Sequence, residues 1–182
     1  MNTNQPETIV YWSELQLKYG TIYLAASKNG LLYVGSLQGD FEEIHNWVNK
    51  HIKNANLEKN DDILEPYKTE IIDFMDGKRT KLTSRCEEIG TSFQKEVWQA
   101  LRKIPYGETR TYSDIAAMIQ KPQAIRAVGR AIGANPLLIY NPCHRVIGKN
   151  GKLTGFRGGL IMKKRLLKVE NVNFEENEQQ RR

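Results

Sequence analysis

The chain of 182 residues contains only two cysteines, Cys86 and Cys143, and three histidines, His45, His51 and His144. This shortage excludes a disulfide framework, and no Cys/His cluster has the spacing of a structural zinc site. No apolar run approaches the roughly 20 residues of a membrane-spanning helix. The N-terminal segment "MNTNQPETIV" lacks the basic and apolar regions of a signal peptide. We therefore expect a cytoplasmic protein without a metal or membrane attachment.

Acidic residues are scarce in one block of the chain. Residues 93–169 contain 15 Lys/Arg but only 3 Asp/Glu, whereas residues 1–92 contain 10 Lys/Arg and 14 Asp/Glu. A basic block beside an acidic one is the electrostatic signature of a polyanionic partner, although a solvated basic face has the same composition. The size of the excess favours nucleic acid as that partner.

Hydrophobic periodicity predicts an α+β unit in the N-terminal half, residues 1–90. "TIYLAAS" and "LLYVGSL" are typical of two strands joined by a tight turn at "KNG". Residues 41–52 and 61–75 carry apolar side chains at helical spacing. We therefore predict a small antiparallel sheet with helices. His45 and His51 do not share a helix face, and we interpret both as ordinary surface or interface histidines.

The C-terminal half, from residue 91, is predicted to be helical. "TSFQKEVWQALRKI" begins with Thr91 and Gln94 at the spacing of a capping box. "TYSDIAAMI" predicts a short second helix, and "QAIRAVGRAIGAN" predicts a third. The turn between them contains Pro122, which we place at the start of the third helix.

The second and third of these helices have the lengths of a helix-turn-helix, and Arg126 and Arg130 lie on the third. The third helix is rich in alanine and glycine, so it can approach either a nucleic-acid groove or another helix closely. The sequence leaves both possibilities open. The basic composition of the region favours the nucleic-acid interpretation.

The remaining segments suggest how the domain closes. "LLIY" predicts a strand that brings "NPCHRVIG" to the surface, "KNGKLTGFRGG" a glycine-rich loop or wing, and "LIMKKRLLKVE" a final amphipathic helix. "NVNFEENEQQRR" is a polar tail. We predict a domain at 1–90, a winged helix-turn-helix-like domain at 91–171, and a tail at 172–182.

Cys143 has the basic neighbours that favour a reactive thiolate, His144 and Arg145. Adjacent residues of an extended segment point in opposite directions, so His144 would reach the thiol through a water or a sharp turn at Pro142. The histidine would then need a carboxylate partner, and the candidates are few: Glu96, Glu108, Asp114 and Glu170. From the residues alone, a buried inert thiol remains the alternative. Cys86 is interpreted as a small structural residue.

Several motifs between about Thr91 and Glu170 resemble the O6-alkylguanine-DNA alkyltransferase family, bacterial type. "NPCHRVIG" is preceded by "RAVGRAIGANP" and followed by "GFRGGLIMKKRLLKVE", and "IPYGETRTYSDIA" matches as well. The resemblance implies a ribonuclease H-like N-terminal domain and a catalytic, DNA-binding C-terminal domain. It implies a monomer that flips O6-alkylguanine, and also O4-alkylthymine, out of duplex DNA and transfers the alkyl group irreversibly to itself. Binding along DNA could be cooperative.

The resemblance also implies the catalytic roles. Cys143 is similar to the alkyl acceptor, His144 to the base that takes its proton through a water, and Glu170 to the carboxylate that orients this histidine. Tyr112 is similar to the hydroxyl that donates a proton to the departing guanine.

For DNA binding, the resemblance implies that Arg126 enters the base stack and that Asn135 is the hinge between the recognition helix and the active-site segment. Val146 and Arg157 would contact the flipped base through their backbones, and Arg130 would add a basic DNA contact. Arginine at 157 could narrow the pocket for bulky alkyl groups.

Two departures from the family limit the implied function. Animal members carry zinc in their first domain, but this chain lacks the cysteines, so no metal or cofactor is expected. A cysteine-rich phosphotriester-sensing module is excluded for the same reason. Three other functions are compatible with parts of the sequence: a regulator that uses the helix-turn-helix alone, an alkyltransferase-like binder without transfer, and a thiol hydrolase. Such binders replace the cysteine that is present here, and a hydrolase would leave the basic helices unexplained.

Overall fold

The computed structural model describes residues 7–174, and its N-terminal half is a four-stranded sheet with two helices. The elements are β1 (Thr8–Leu17), β2 (Gly20–Ser27), β3 (Gly30–Val34), α1 (Phe41–His51), β4 (Ala55–Lys59) and α2 (Asp61–Met75). The strand order is β3-β2-β1-β4, with antiparallel pairs except for β1 and β4, which are parallel. The prediction of α+β structure is confirmed, but the wholly antiparallel sheet was wrong. Helix α1 carries the chain across the sheet, so β4 enters beside β1 in the same direction.

The two helices cover opposite faces of this sheet. Ile44 and Val48 of α1 pack with Val10 and Leu32 on one face. Leu64, Ile71 and Phe74 of α2 pack with Ile22 and Leu24 on the other, in the core that continues into the C-terminal half. The alternation of apolar residues along β2 therefore supplies both cores. His45 is partly exposed and His51 is exposed, as predicted.

The C-terminal half contains α3 (Ser92–Arg102), β5 (Arg110–Thr111), α4 (Tyr112–Met118), α5 (Ile125–Gly133), β6 (Val146–Ile147) and α6 (Gly159–Val169). The capping box of Thr91 and Gln94 is confirmed, and Thr111 caps α4 in the same way. Helix α5 begins at Ile125, so Pro122 lies in the turn and does not start the helix. Trp98 of α3 donates its Nε1–H to the Ala131 carbonyl at 2.8 Å and fixes α3 against α5.

The predicted "LLIY" strand is wrong. Leu137 forms one isolated bridge, with Val34, and residues 138–140 form a turn. Ile139 has φ 72°, a left-handed conformation that β-branched residues rarely adopt. Pairing as a strand is prevented because this turn folds back on the Asn135 side chain, whose amide bonds Leu137 N–H and the Asn141 carbonyl. Tertiary hydrogen bonds thus override an apolar β-like pattern.

The segment that follows is also not an extended surface segment. Cys143–Arg145 forms a single 3-10 turn and is buried. The two halves meet beside this turn, where Val34 N–H donates to the Pro136 carbonyl at 2.9 Å. Of the predicted tail, residues 175–182 lie outside the described residues. Within 7–174 no helix has the length and apolar character needed to cross a bilayer.

Candidate active site

The position of Cys143 is set by the end of α5 and the turn behind it. Asn135 follows α5, is completely buried, and donates Nδ2 to the Asn141 carbonyl at 2.9 Å. The same carbonyl accepts Cys143 N–H at 2.6 Å. Asn135 also donates to the Cys143 sulfur at 3.1 Å. One amide side chain therefore joins the end of α5 to the thiol.

Cys143 is only 2% exposed, and a cavity of about 370 Å³ lies beside it. The cavity lies between α4, α5 and the loop at 155–157; its lining includes Tyr112, Gly129, Gly133, Phe156 and Arg157. Burial raises the pKa of the Cys143 thiol, while the Asn135 hydrogen bond and the charges of Arg157 and Lys163 oppose that rise. The thiol thus faces a pocket of small-ligand size and has partners for its anionic form.

Of the four candidate carboxylates, the structure places Glu170 next to His144. Nε2 of His144 lies 2.6 Å from Oε1 of Glu170, and both side chains are fully buried. The other three are occupied elsewhere: Glu96 pairs with Lys121, Glu108 with Arg110, and Asp114 caps α4.

Arg145 is the cationic partner of the same carboxylate. Its Nε donates to the two Glu170 oxygens at 3.0 and 2.9 Å, and its Nη1 donates to the Ile104 carbonyl at 2.6 Å. Burial raises the pKa of Glu170, but the hydrogen bonds from His144, Arg145 and Gly107 N–H outweigh it and hold the pKa below its ordinary value. Glu170 is therefore ionised at neutral pH.

The hydrogen bond to Glu170 also fixes the tautomer of His144. Burial lowers the pKa of His144, so the ring is neutral and Nε2 carries the proton that it donates to the carboxylate. Nδ1 is buried and has no hydrogen-bond partner within the described part of the chain. It is a free lone pair on the residue adjacent to the thiol, suited to accept a proton.

Tyr112 lies at the start of α4, on the wall of the cavity. Its hydroxyl is 2.9 Å from Thr154 Oγ1, which belongs to the loop after β6. A Cβ added at Gly129 would lie 3.8 Å from the Tyr112 ring, at van der Waals contact, so α5 passes close beside the phenol. The phenol therefore has a defined place at the cavity.

Lys163 of α6 joins the start of β6 to the loop that follows it. Its Nζ donates to the Val146 carbonyl at 2.5 Å and to the Thr154 carbonyl at 3.1 Å, and the side chain is completely buried. Burial lowers the pKa of Lys163 to about 8. The sequence analysis missed this lysine because a Lys in a basic helix gives no sign of facing inward.

Arg126 and Arg130 are exposed on α5, and Gly129 and Gly133 of the same helix line the cavity. The helix is amphipathic: Val128 and Ala131 are buried beneath it. The two arginines are separated by one helical turn and project from one face. They are not brought to the thiol but border the same surface.

The Arg157 side chain reaches the N-terminal half. Its Nε donates to the Asn135 carbonyl at 2.8 Å, and Nη1 donates to Tyr33 Oη at 2.6 Å and Glu43 Oε1 at 2.8 Å. Nη2 donates to the carbonyls of Val34 and Pro136. The resemblance implied a backbone contact of Arg157 with the flipped base and a narrower pocket, but gave no sign of this tie between the halves.

Cys86, the other thiol, lies away from this site beside β3. It forms an isolated bridge with Leu31, and burial raises its pKa to about 12. The thiol is therefore protonated at neutral pH, which fits the structural role assigned from the sequence. Across residues 7–174 there is no group of three His, Cys, Asp or Glu side chains that could hold a metal ion.

Comparison with known proteins identifies the family. Residues 92–172 match the 6-O-methylguanine DNA methyltransferase DNA-binding domain, and residues 10–86 match its ribonuclease-like domain. The chain is 52% identical over 170 residues to the inducible methylated-DNA--protein-cysteine methyltransferase of Bacillus subtilis, covering 93% of this chain and 94% of that one. It is 40% identical over 163 residues to the Methanosarcina acetivorans methyltransferase, covering 88% and 98%.

Solved structures agree. The crystal structure of Mycobacterium tuberculosis OGT in complex with DNA superposes with a TM-score of 0.73 at 34% identity, covering 88% of this chain and 92% of that one. The family models and the relatives together show that this chain belongs to the methylated-DNA--protein-cysteine methyltransferases, the O6-alkylguanine-DNA alkyltransferase family.

Proposed function

We propose that this protein repairs O6-alkylguanine in duplex DNA by transferring the alkyl group to Sγ of Cys143, once per molecule. The observation that carries the proposal is the placement of Cys143: its sulfur accepts a hydrogen bond from Asn135 at the edge of a cavity bordered by α5. Residues 91–171 supply the chemistry and the DNA contacts. The expected setting is cytoplasmic, with the protein acting as a monomer, and O4-alkylthymine is a second substrate.

The proton transfer that activates the thiol follows from the histidine tautomer. The Cys143 proton passes through a water to Nδ1 of His144, and Glu170 stabilises the imidazolium that forms. The thiolate displaces the O6 oxygen at the alkyl carbon, so one S–C bond forms as one C–O bond breaks. Tyr112 donates its hydroxyl proton to the guanine ring as the base leaves, and the proton held by His144 returns to the tyrosinate through solvent. The thioether product is stable, so turnover stops.

Access to the base requires extrusion from the stack. Helix α5 is built from small residues and presents Arg126, which fills the space left by the flipped base. Asn135 connects this helix to the Cys143 turn, the backbones of Val146 and Arg157 hold the base, and Arg130 binds phosphate.

The test is an intact mass spectrum after incubation with an oligonucleotide that carries one O6-methylguanine. We expect a gain of one methyl group per protein, mapping to Cys143, and no further gain with excess substrate. Cys143→Ser should bind the same DNA without gaining mass, whereas Cys86→Ser should transfer normally. Binding without methylation by the unaltered chain would overturn the proposal in favour of a binder, and turnover without modification would favour a hydrolase.

A further inference from the structure

A chain of buried hydrogen bonds runs from the surface of α3 to the Cys143 sulfur. Arg102 Nε donates to Asn141 Oδ1 at 2.6 Å, Asn141 Nδ2 donates to Asn135 Oδ1 at 3.1 Å, and Asn135 Nδ2 donates to the sulfur at 3.1 Å. Both asparagines are completely buried. Every link therefore has a defined direction, from the guanidinium towards the thiol.

The direction of the chain follows from what each group can donate. Arginine has only donors, so the Asn141 atom that faces Arg102 must be the oxygen. The Asn141 NH2 group then faces two acceptors, Glu88 Oε1 at 3.3 Å and Asn135 Oδ1 at 3.1 Å. Glu88 is in turn bound by Arg102 Nη2 at 2.7 Å, so one ion pair holds both ends of the Asn141 amide.

Asn135 is oriented by the same logic. Its Oδ1 accepts from Asn141 and from Leu137 N–H at 3.0 Å, which leaves its NH2 group for the Asn141 carbonyl and the sulfur. A reversed amide would direct an oxygen at the sulfur and would repel a thiolate. The orientation of Asn135 thus decides whether the sulfur meets a donor or an acceptor.

We propose that Arg102 and Asn141 are positioning residues for the transfer reaction, which act in series to hold the NH2 group of Asn135 against the Cys143 sulfur. This inference rests on the proposed role of Cys143 as the alkyl acceptor. Neither residue lines the cavity beside Cys143, and Arg102 pairs with Glu88. A donor on the sulfur favours the thiolate, so the pair increases the fraction of reactive thiol at neutral pH.

Arg157, Lys163 and His144 also lie near the sulfur, and none of them bonds the side chain of Arg102 or Asn141; Arg157 bonds the Asn135 backbone carbonyl, which these substitutions retain. They stay in place when Arg102 or Asn141 is replaced. A change in the alkylation rate or apparent pKa of the thiol in those variants therefore reports on the hydrogen-bond chain through Asn141.

The experiment measures the rate of Cys143 alkylation by iodoacetamide between pH 6 and 10, without DNA, with peptide mapping to separate Cys143 from Cys86. Asn141→Leu keeps the number and branching of the side-chain heavy atoms but removes both hydrogen-bonding groups of the amide. We expect a higher apparent thiol pKa and a rate at pH 7.5 that falls by about tenfold to 100-fold, the loss of one hydrogen bond to a charged group. Arg102→Leu should act in the same direction but more weakly, because its side chain is 40% exposed.

The double variant tests the series arrangement. Asn141→Leu with Arg102→Leu should match Asn141→Leu alone, because Arg102 acts only through Asn141. Arg102→Lys should recover part of the loss. Arg79→Leu is the matched control: Arg79 is 35% exposed and pairs with Glu70 in the N-terminal half.

An unchanged apparent pKa in both single variants would overturn the proposal. A fall in rate by the same factor at every pH would also overturn it, since that would indicate a purely structural role. Methyl transfer from DNA by the unaltered chain is measured separately. Its failure would remove the proposed function, whereas the iodoacetamide profile would still decide whether the hydrogen-bond chain acts on the thiol.

Discussion

The carboxylate of Glu170 binds His144 Nε2 at 2.6 Å and Arg145 Nε at 2.9 Å, with all three side chains at most 9% exposed. The backbone N–H of Gly107 donates to the same carboxylate at 2.9 Å. Glu170 ends α6, Gly107 precedes β5, and the other two belong to the cysteine turn. One buried charge therefore orients the proposed base and ties three segments of the C-terminal half together.

Glu170→Gln should impair both stability and transfer. The substitution keeps the shape but leaves Arg145 buried without its counter-ion, and breaking such a pair lowers the free energy of unfolding by about 3–5 kcal/mol. The amide cannot stabilise an imidazolium, so single-turnover methyl transfer should slow by about 100-fold or more. Urea unfolding and quenched-flow transfer measure the two effects. Glu108→Gln is the control, since Glu108 forms a half-exposed ion pair with Arg110; it should change neither the free energy of unfolding nor the transfer rate appreciably.

The same cluster predicts loss of stability in acid. Burial holds the pKa of His144 below its ordinary value, and the hydrogen bonds from His144 and Arg145 hold the pKa of Glu170 below its own. Both groups bind protons more readily when unfolded, so the stability they contribute is complete above the unfolded pKa values and is lost as the pH falls through the folded ones. The free energy of unfolding should begin to fall near pH 6.5, the ordinary pKa of histidine being about 6.5.

Urea midpoints measured from pH 8 to pH 4 check this dependence. His144→Asn removes the imidazole and should flatten the curve between about pH 6.5 and 5, where histidine titrates. A parent protein that became more stable over this range would contradict the assignment of a neutral, buried histidine.

How much the sequence reveals depends on how local each contact is. The capping boxes at Thr91 and Thr111 are set within four residues, and the sequence pattern at Thr91 predicted the helix start correctly. The pairing of His144 with Glu170 could be predicted from the sequence because this half contains few acidic residues and the resemblance to the family points to Glu170. In contrast, the turn at residues 138–140 was predicted as a strand because its hydrogen bonds come from a side chain outside the apolar run.

Contacts between distant segments left no sequence signal. Arg157 meets Tyr33 and Glu43, which are more than 100 residues away along the chain. The inward direction of Lys163 depends on the carbonyls of Val146 and Thr154, which α6 reaches only after folding. The orientation of Asn141 requires Arg102 of another helix. Such residues are polar and look like surface residues until the partner segments are in place.

Arg157→Met should weaken the connection between the two halves. The guanidinium binds Glu43, Tyr33 and three carbonyls, and its side chain is 18% exposed, so removal leaves several polar groups unpaired. We expect the free energy of unfolding to fall by about 2–4 kcal/mol. Urea unfolding measures it, with Arg79→Met as a control on an ion pair within the N-terminal half. Equal effects of the two substitutions would contradict a special role for Arg157 at the junction.

Arg126 and Arg130 should separate base flipping from general DNA affinity. Arg126→Ala should slow methyl transfer from duplex DNA by about 10-fold or more, because the extruded base loses the side chain that replaces it in the stack. Transfer from free O6-benzylguanine should be unchanged, since that substrate needs no extrusion and Arg126 lies outside the cavity lining.

Arg130→Ala is the comparison, with the same charge change one helical turn away. It should weaken binding to all duplexes similarly and reduce the slope of log affinity against log salt by about 1, with transfer at saturating DNA unaffected. Equal losses with duplex and free base for Arg126→Ala would mean that the side chain supports the cavity and does not enter the stack. Indistinguishable profiles for the two variants would assign both arginines to phosphate binding, and base extrusion would then have to depend on another residue of the α5 surface.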